Sequence, residues 1–306
     1  TSGGATQALE WHAPTLVRID ETCTIPRLLQ DRVGRSPRRP LILRKLGMGD
    51  AWRPVSARDF HEEVQQVAAG LIARGLEPGQ RVAIMSRTRY EWTLLDFACW
   101  SAGLVPVPIY ETSSIEQVAH VLSDADVDLV VTETVSLAEI VRTAAERTGR
   151  HHVVVLSLDS EAIETLVADG AGVPRATVAA RTGALTKDDI STIVYTSGTT
   201  GTPKGTVLTH ENFTNLCLNS HAWMPEIAAG EDSRLLLFLP LAHVFARFLQ
   251  VFQISGNGVM AHVSNIKNLL PDLASFRPSY LLVVPRVLEK IYNSADAKAS
   301  KGAKRR

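Results

Sequence analysis

The residues best suited to chemistry lie in one short run from Tyr195 to Gly205, which reads YTSGTTGTPKG. Its glycines let backbone N–H groups approach an anion closely, because a Cβ would obstruct that approach. Its hydroxyl side chains add hydrogen-bond donors, and Lys204 adds a mobile positive charge. Several donors around one cation suit a polyphosphate better than a neutral ligand.

Two other interpretations of this run are weaker. The P-loop of nucleoside triphosphatases requires G-x-x-x-x-G-K-[ST], which the run does not match because Lys204 precedes Gly205. A flexible Ser/Thr/Gly linker has a similar composition. However, strand-like segments flank the run, Ile190 to Tyr195 before it and Thr206 to Thr209 after it. We therefore predict a phosphate-binding loop at residues 195–205, held between two strands.

This run, with Thr209 to Asn212 after it, resembles the phosphate-binding signature of the acyl-adenylate-forming (AMP-binding) enzymes. That family includes acyl-CoA synthetases, luciferases and peptide-synthetase adenylation domains. A second segment, Leu239 to Arg247 (LPLAHVFAR), looks like the next motif of the long-chain fatty acyl-CoA synthetase branch. The likeness extends in weaker form from about Ala51 to about Tyr292, so it covers most of the chain.

The resemblance implies roles for individual residues. Thr196 would be the hydroxyl ligand of Mg²⁺, and the loop would cradle the β- and γ-phosphates of ATP. Lys204 would offset the charge that develops on pyrophosphate, and His243 would lie on the side of the acyl carboxylate. These last two are the predicted catalytic residues. The predicted phosphate-binding residues are Thr196, Ser197, Gly198, Thr199, Thr200, Gly201 and Lys204.

The second motif leaves some roles open. The alternative for a histidine at position 243 is that it caps or packs against the start of a helix. Arg247, one helical turn further, is predicted to lie at the surface or behind the site. Many relatives in this branch carry Glu where Ala246 stands, so a polar role at that position is absent here. Four other histidines are expected to be structural or solvated, namely His120, His151, His152 and His210.

The family's chemistry is attack of a carboxylate on the α-phosphate of ATP, which gives an acyl-adenylate and pyrophosphate, followed by transfer to the thiol of CoA. Both reacting groups are anionic, so positioning and charge stabilisation dominate such a reaction. The resemblance implies a fatty acid–CoA ligase with fatty acid, ATP and CoA as substrates and Mg²⁺ as cofactor. Two alternatives stay open: a fatty acyl-AMP ligase that loads a carrier protein, and a non-catalytic nucleotide-binding module.

The family normally continues with segments that are absent from this sequence. They are an aromatic-Gly-x-Thr-Glu segment with a second Mg²⁺ ligand, a ribose-binding aspartate, a hinge and a small C-terminal domain with a catalytic lysine. The resemblance therefore implies the N-terminal portion of such an enzyme, unable to turn over alone. The basic ending, from Lys301 to Arg306, is interpreted as a charged helix face rather than a nucleic-acid-binding tail.

Composition narrows the class of protein further. The chain has 32 Lys and Arg against 32 Asp and Glu, so its net charge does not suggest a nucleic-acid partner. Its three cysteines are widely spaced and offer neither a disulfide framework nor a metal-ligand pair. The apolar stretch Leu235 to Ile254 contains Pro, His and Arg, so we expect a buried strand and helix rather than a membrane span. We expect a cytoplasmic enzyme. Oligomeric state and peripheral membrane contact are left open.

Strand-like and helix-like segments alternate along most of the chain, which predicts an α/β fold with two doubly wound, mainly parallel sheets flanked by helices. Residues 1–50 are predicted to be an entry segment, 51–187 a first α/β subdomain and 188–306 a second. The weakly periodic stretch from 162 to 187 is predicted to bridge the two sheets. An arginine-rich cluster is expected to be a solvated, loop-like surface, at Arg32, Arg35, Arg38 and Arg39.

Overall fold

The computed structural model describes residues 14–45, 51–196, 203–228, 230, 232–285, 288–289 and 292–293. Helices and strands alternate over most of these ranges. The helices are α1 (Ile25–Arg35), α2 (Ala57–Ala73), α3 (Tyr90–Ser101), α4 (Ile115–Asp124), α5 (Val135–Arg147), α6 (Ala162–Asp169), α7 (Arg175–Ala184), α8 (His210–Trp223), α9 (Pro225–Ala228), α10 (Val244–Ser255) and α11 (Leu269–Phe276). The strands are β1 (Pro40–Arg44), β2 (Arg53–Ser56), β3 (Arg81–Met85), β4 (Val105–Ile109), β5 (Val127–Thr132), β6 (Val154–Ser157), β7 (Ile190–Thr196), β8 (Lys204–Thr209), β9 (Arg234–Leu237) and β10 (Val259–His262).

The first sheet has four parallel strands in the order β4-β3-β5-β6. Side chains of a strand alternate between its two faces. Val82 and Ile84 of β3 belong to the apolar cluster that contains α2 and α3, whereas Ala83 and Met85 belong to the cluster that contains α4 and α5. Helices therefore cover both faces, which is the doubly wound arrangement that the sequence predicts.

The second sheet has the order β2-β1-β10-β9, in which only the β1–β2 pair is antiparallel. Leu235 and Leu237 face the cluster that contains α10, and Leu236 faces the residues of α11. The predicted α/β fold with mainly parallel sheets is confirmed. The subdomain boundary at residue 187 stays a prediction. The second sheet contains strands from before that residue, β1 and β2, and from after it, β9 and β10.

The strands that flank the predicted phosphate loop form a separate two-stranded antiparallel sheet of β7 and β8. Neither strand belongs to one of the two four-stranded sheets, although residues 188–306 are predicted to form the second subdomain. The hairpin lies beside the first sheet. The hydroxyl of Thr192 on β7 donates to the carbonyl of Pro106 on β4 over 2.7 Å. Ile193 and Tyr195 also pack against the cluster beneath that sheet.

Three helices begin at side-chain caps, and for α4 the sequence allows either Ser113 or Ser114. The Ser56 hydroxyl accepts the Asp59 amide at the start of α2, and Ser114 forms a capping box at the start of α4. Thr209 forms a capping box with Asn212 at the start of α8. Such caps satisfy backbone donors that have no partner within the helix.

Other predictions about local structure were wrong. The stretch 162–187 is not a plain bridge, because it contains α6 and α7, which pack against α2. The segment 280–284 forms no regular strand and makes an isolated bridge between Tyr280 and Leu235. Arg32 lies on α1 and is fully buried, not solvated. Its guanidinium donates to the carbonyls of Gly256 and Gly258 just beyond α10, so it satisfies acceptors that this helix end leaves open.

Candidate functional site

The hairpin of β7 and β8 presents two of the predicted site residues at the same place. Thr196 is the last residue of β7, Lys204 is the first of β8, and the two are directly paired in the antiparallel register. Both side chains are exposed. Residues 197–202, and with them the predicted ligands Ser197, Gly198, Thr199, Thr200 and Gly201, lie outside the described part of the chain.

Helix α4 fixes both ends of this loop. The Tyr195 hydroxyl donates to the Asp124 carboxylate over 2.6 Å, and the His120 ring nitrogen Nε2 lies 2.7 Å from the Pro203 carbonyl. The rings of His120 and Tyr195 also meet edge to face. Burial, reinforced by the Asp124 carboxylate, raises the pKa of the Tyr195 phenol, so it stays a donor. The loop is therefore held at its base, as a phosphate cradle needs to be.

The glycine that closes the loop has a packing reason as well. A Cβ at Gly205 would lie 2.9 Å from Cγ2 of Ile193 and 3.1 Å from Cζ of Tyr195. The first distance is too short for a carbon–carbon contact and the second is tight, so a larger residue would require the Ile193 and Tyr195 side chains to shift. Gly205 therefore leaves room for the Tyr195 ring that anchors the loop.

His243 is the N-cap residue of α10. Its Nδ1 accepts a hydrogen bond of 3.2 Å from the amide of Phe245, which satisfies a helix-end donor. A neutral ring in this arrangement carries its proton on Nε2. The capping interpretation is therefore confirmed, and the exposed ring keeps an N–H donor that is suited to a carboxylate oxygen. Its predicted catalytic role stays a prediction.

The loop before His243 is tied to the first sheet. The Thr88 hydroxyl, between β3 and α3, donates to the Leu239 carbonyl over 2.7 Å and accepts the Leu241 amide over 3.1 Å. One side chain therefore bridges two backbone groups of the second motif. A hydroxyl that serves as donor and acceptor at once has its orientation fixed.

Arg247 is not at the surface, because its side chain has no exposed area. Its Nη2 lies 2.6 Å from Oδ1 of Asp96 on α3, and its Nε lies 3.2 Å from Oδ2 of the same carboxylate. A third nitrogen, Nη1, donates to the Thr192 hydroxyl on β7 over 2.5 Å. Arg247 therefore ties α10 to both α3 and the strand that leads into the phosphate loop.

An apolar groove of about 380 Å³ runs between α8 and α10, and its lining includes Val244 and Phe245, the two residues that follow His243. Its walls come from positions one helical turn apart on each helix. The lining residues are Leu216, Ser220, Met224, Ile227, Val244, Phe245, Phe248, Leu249, Phe252, Tyr280 and Leu282.

A polar cavity of about 490 Å³ lies elsewhere, between the carboxyl ends of strands from both parallel sheets. Most of its cations are already paired, as in the ion pairs Arg87–Glu133, Arg89–Glu91 and Lys45–Asp272. Among the residues that the structure describes, no cluster of three His, Cys, Asp or Glu side chains could hold a metal ion. Nor is any helix of the described ranges long and apolar enough to cross a bilayer.

The family profile of the AMP-binding enzymes matches residues 29–306, which is most of the chain. The chain belongs to this family. It is also 42% identical, over 260 residues, to the long-chain-fatty-acid–CoA ligase FadD15 of Mycobacterium bovis. That match covers 83% of the chain and 43% of the relative, so the chain spans less than half the length of this ligase.

Solved structures of related enzymes have the same fold. A Mycobacterium tuberculosis fatty acyl CoA synthetase superposes with a TM-score of 0.73 at 25% identity, over 88% of this chain and 51% of the other. ATP-bound MatB from Rhodopseudomonas palustris superposes with a TM-score of 0.71 at 24% identity, over 89% of this chain and 51% of the other. The predicted resemblance, to the N-terminal portion of an acyl-CoA synthetase, is confirmed.

Several residues that build the site were missed by the sequence analysis. Asp124 is one of them, whereas His120, four residues earlier on α4, was expected to be structural or solvated and makes a structural contact. The two share one face of that helix, but nothing in the sequence shows that this face meets the hairpin. Asp96 sits within a helix that is buried on every side. A lone acidic residue in so apolar a helix is a usable signal, because a buried charge requires a partner.

Proposed function

We propose that this chain forms the ATP- and acyl-binding part of a long-chain fatty acid–CoA ligase. The enzyme would activate a fatty acid as its acyl-adenylate and then transfer the acyl group to the thiol of CoA. The observation that carries the proposal is the contact between Arg247 and Thr192. It brings the helix that begins at His243 against the strand that ends at Thr196, so that an acyl carboxylate and a nucleotide phosphate could meet between them.

The apolar groove supports a fatty acid as the acyl substrate. From Val244 to Phe252 the wall of α10 runs roughly 12 Å at 1.5 Å per residue. Each methylene that such a wall removes from water gains about 0.8 kcal/mol. A short polar acid would gain little there, whereas an alkyl chain would bind along the whole length. Val244 and Phe245, which follow His243 in the sequence, line the groove, so a carboxylate bound at His243 would have its alkyl chain close to this wall.

The hairpin supports ATP and Mg²⁺. Thr196 offers one hydroxyl oxygen at the rim of the loop, and Lys204 offers a cation directly opposite. Mg²⁺ prefers oxygen ligands and usually combines one or two protein groups with substrate phosphates and water, so a single hydroxyl fits this role. When bound, the ion would neutralise phosphate charge. The ATP in the structure of MatB, which has the same fold, lends further support.

We further propose that the acyl acceptor is CoA and that the enzyme works in the cytoplasm. FadD15 is named as a CoA ligase, which favours CoA over a carrier protein as acceptor. The three cysteines are free thiols in the structure, and this agrees with a reducing compartment. Because the matched region is 43% of that relative, we also propose that this chain binds ATP but needs further segments for turnover.

Fatty-acid-dependent exchange between ATP and labelled pyrophosphate tests the activation step directly. The full-length protein should exchange label with a long-chain fatty acid, and should do so poorly with acetate. This chain alone should bind MgATP without exchange. Exchange that needs no acid, or that prefers acetate, would contradict the proposal, as would efficient exchange by this chain alone. Supplying CoA or a pantetheine-loaded carrier protein as the only acceptor then identifies the second substrate.

A further inference from the structure

A continuous chain of hydrogen bonds crosses the core behind the proposed site. It starts at Thr192 on β7, passes through Arg247 of α10 to Asp96 of α3, and continues through Gln250 and Thr93. The distances after Asp96 are 2.6 Å from the Gln250 amide nitrogen and 2.9 Å from the Gln250 oxygen to the Thr93 hydroxyl. All five side chains are at most 1% exposed.

The direction of these bonds follows from the chemistry of each group. The Asp96 carboxylate, paired with Arg247, only accepts, so Gln250 must present its NH₂ to it and its oxygen to Thr93. The Thr93 hydroxyl therefore donates its one proton to the Gln250 oxygen. It must then accept a hydrogen bond from Nε2 of His262, which lies 2.7 Å away. Each member has therefore one arrangement that satisfies its neighbours, and the cluster has little freedom to rotate.

One end of this cluster reaches both halves of the proposed site. Thr192 lies four residues before Thr196, on the same rigid strand, and its hydroxyl also donates to Pro106 of the first sheet. Arg247 lies in the first turn and a half of α10, four residues after His243. A strand and a helix transmit a displacement along their length, so a shift at the Arg247–Thr192 contact would alter the spacing of the groups at their ends.

We propose that Arg247 and Thr192 are positioning residues, which set the distance between the phosphate loop and His243 for the adenylation step. This inference rests on the proposed function. Neither residue would touch a substrate. Each substrate could still bind by itself if the contact were lost, but the carboxylate and the α-phosphate would no longer be aligned. A misplacement of about 1 Å can cost on the order of 100-fold in rate.

The test compares Thr192→Val, Thr192→Ser and Arg247→Lys in the full-length protein. Valine keeps the shape of threonine without its hydroxyl, and serine keeps the hydroxyl. Lysine keeps the charge but lacks the planar fork that bonds Asp96 through two nitrogens and Thr192 through a third. In fatty-acid-dependent pyrophosphate exchange, kcat should fall roughly 10- to 100-fold for Thr192→Val and Arg247→Lys. The dissociation constants for ATP alone and fatty acid alone should stay within about twofold of the unsubstituted values, and Thr192→Ser should retain most of kcat.

Arg32→Lys provides a matched control. Arg32 is also fully buried and also contacts the α10 region, but it does so at the other end, where it donates to backbone carbonyls. Its replacement should lower the melting temperature without lowering kcat of the folded enzyme. Equal losses of kcat in Arg32→Lys and Arg247→Lys would overturn the positioning role, as would weaker substrate binding with unchanged kcat. No exchange in the unsubstituted protein would overturn the proposed function, and this inference with it.

Discussion

Thr196 and Lys204 face each other across the β7–β8 hairpin as its last registered pair before the loop. Antiparallel pairing sets directly opposed residues about 5 Å apart between their Cα atoms, so the hydroxyl and the ammonium serve the same small volume. The spacing of the two residues in sequence would allow many other arrangements. The strand pairing places both side chains close enough together to contact one polyphosphate.

Replacing Lys204 with alanine should slow adenylation without unfolding the protein, because the side chain is exposed. We expect kcat for fatty-acid-dependent pyrophosphate exchange to fall about 100-fold, a typical effect of removing one charge-stabilising donor. Lys267→Ala, at another exposed lysine, is the control and should leave exchange unchanged. Equal activity of the two variants would exclude Lys204 from the catalytic residues.

Two buried glycines make the crossing of α2 and α6 a sensitive point for stability. A Cβ at Gly70 would lie 2.0 Å from the Leu166 carbonyl oxygen, and one at Gly170 would lie 2.5 Å from the Gly70 amide. Gly70→Ala should therefore lower the free energy of unfolding by about 2 kcal/mol or more, through overpacking against backbone.

Gly34→Ala is the matched control for that substitution. Gly34 also lies within a helix, α1, but a Cβ there would meet nothing within 4 Å. Its replacement should stabilise the protein by about 0.5–1 kcal/mol, because alanine has the better helix propensity. Urea titrations of both variants measure the two effects, and equal changes would contradict this account of the helix crossing.

Stability should fall on mild acidification because of His210. Burial lowers the pKa of this histidine to about 4, while Asp189 opposes the shift, and its Nδ1 accepts the amide of Ile25. The unfolded chain takes up the proton near its usual pKa of about 6.5, so this contribution to stability is full above that pH. It is lost as the pH falls from about 6.5 towards 4, and amounts to at most about 3 kcal/mol.

His210→Asn separates this effect from other acid-sensitive groups. An asparagine oxygen can replace Nδ1 as the acceptor, but it does not titrate. Between pH 6.5 and pH 4.5 the variant should lose less unfolding free energy than the parent protein does. Parallel curves of unfolding free energy against pH would show that His210 does not control this transition.

Filling the apolar groove should reduce the maximum chain length of the fatty acids that the enzyme accepts. Ser220 lines the groove on α8, so Ser220→Phe would occupy space proposed for methylene groups. Each excluded methylene should lower kcat/KM for a long-chain acid by roughly fourfold, from about 0.8 kcal/mol of lost burial. Acids that end before position 220 should be unaffected, and Ser220→Ala should behave like the parent. Equal losses for all chain lengths would place the acyl chain elsewhere.

Local signals predicted most helices and strands, but not the way in which they meet. The caps at Ser56, Ser114 and Thr209 can be read from the sequence, because a cap bonds within four residues. The contact of Arg247 with Asp96 could not be, since it joins residues about 150 positions apart. Arg32 shows the same limit: a run of arginines predicted a solvated loop, whereas a distant helix end required a buried donor.

The candidate site also has parts that local sequence signals predict and parts that depend on contacts between distant residues. Motif spacing predicted that Thr196, Lys204 and His243 belong to one kind of enzyme, and the family match confirms that class. Asp124 and Thr88, which hold those segments in place, belong to no motif, because they act through hydrogen bonds to distant segments. Which side chains anchor a loop is decided by tertiary packing.

The second sheet has a consequence for how the protein is made. Strand β1 is paired on one side with its neighbour β2 and on the other with β10, whose residues come about 200 positions later. At roughly 5–20 residues per second, a ribosome needs on the order of 10–40 s to supply them. Throughout that interval the apolar edge of Leu41 to Leu43 has no strand to pair with, and such edges associate with other chains. The second sheet can therefore be completed only after β10 has been made, late in the synthesis of the described part of the chain.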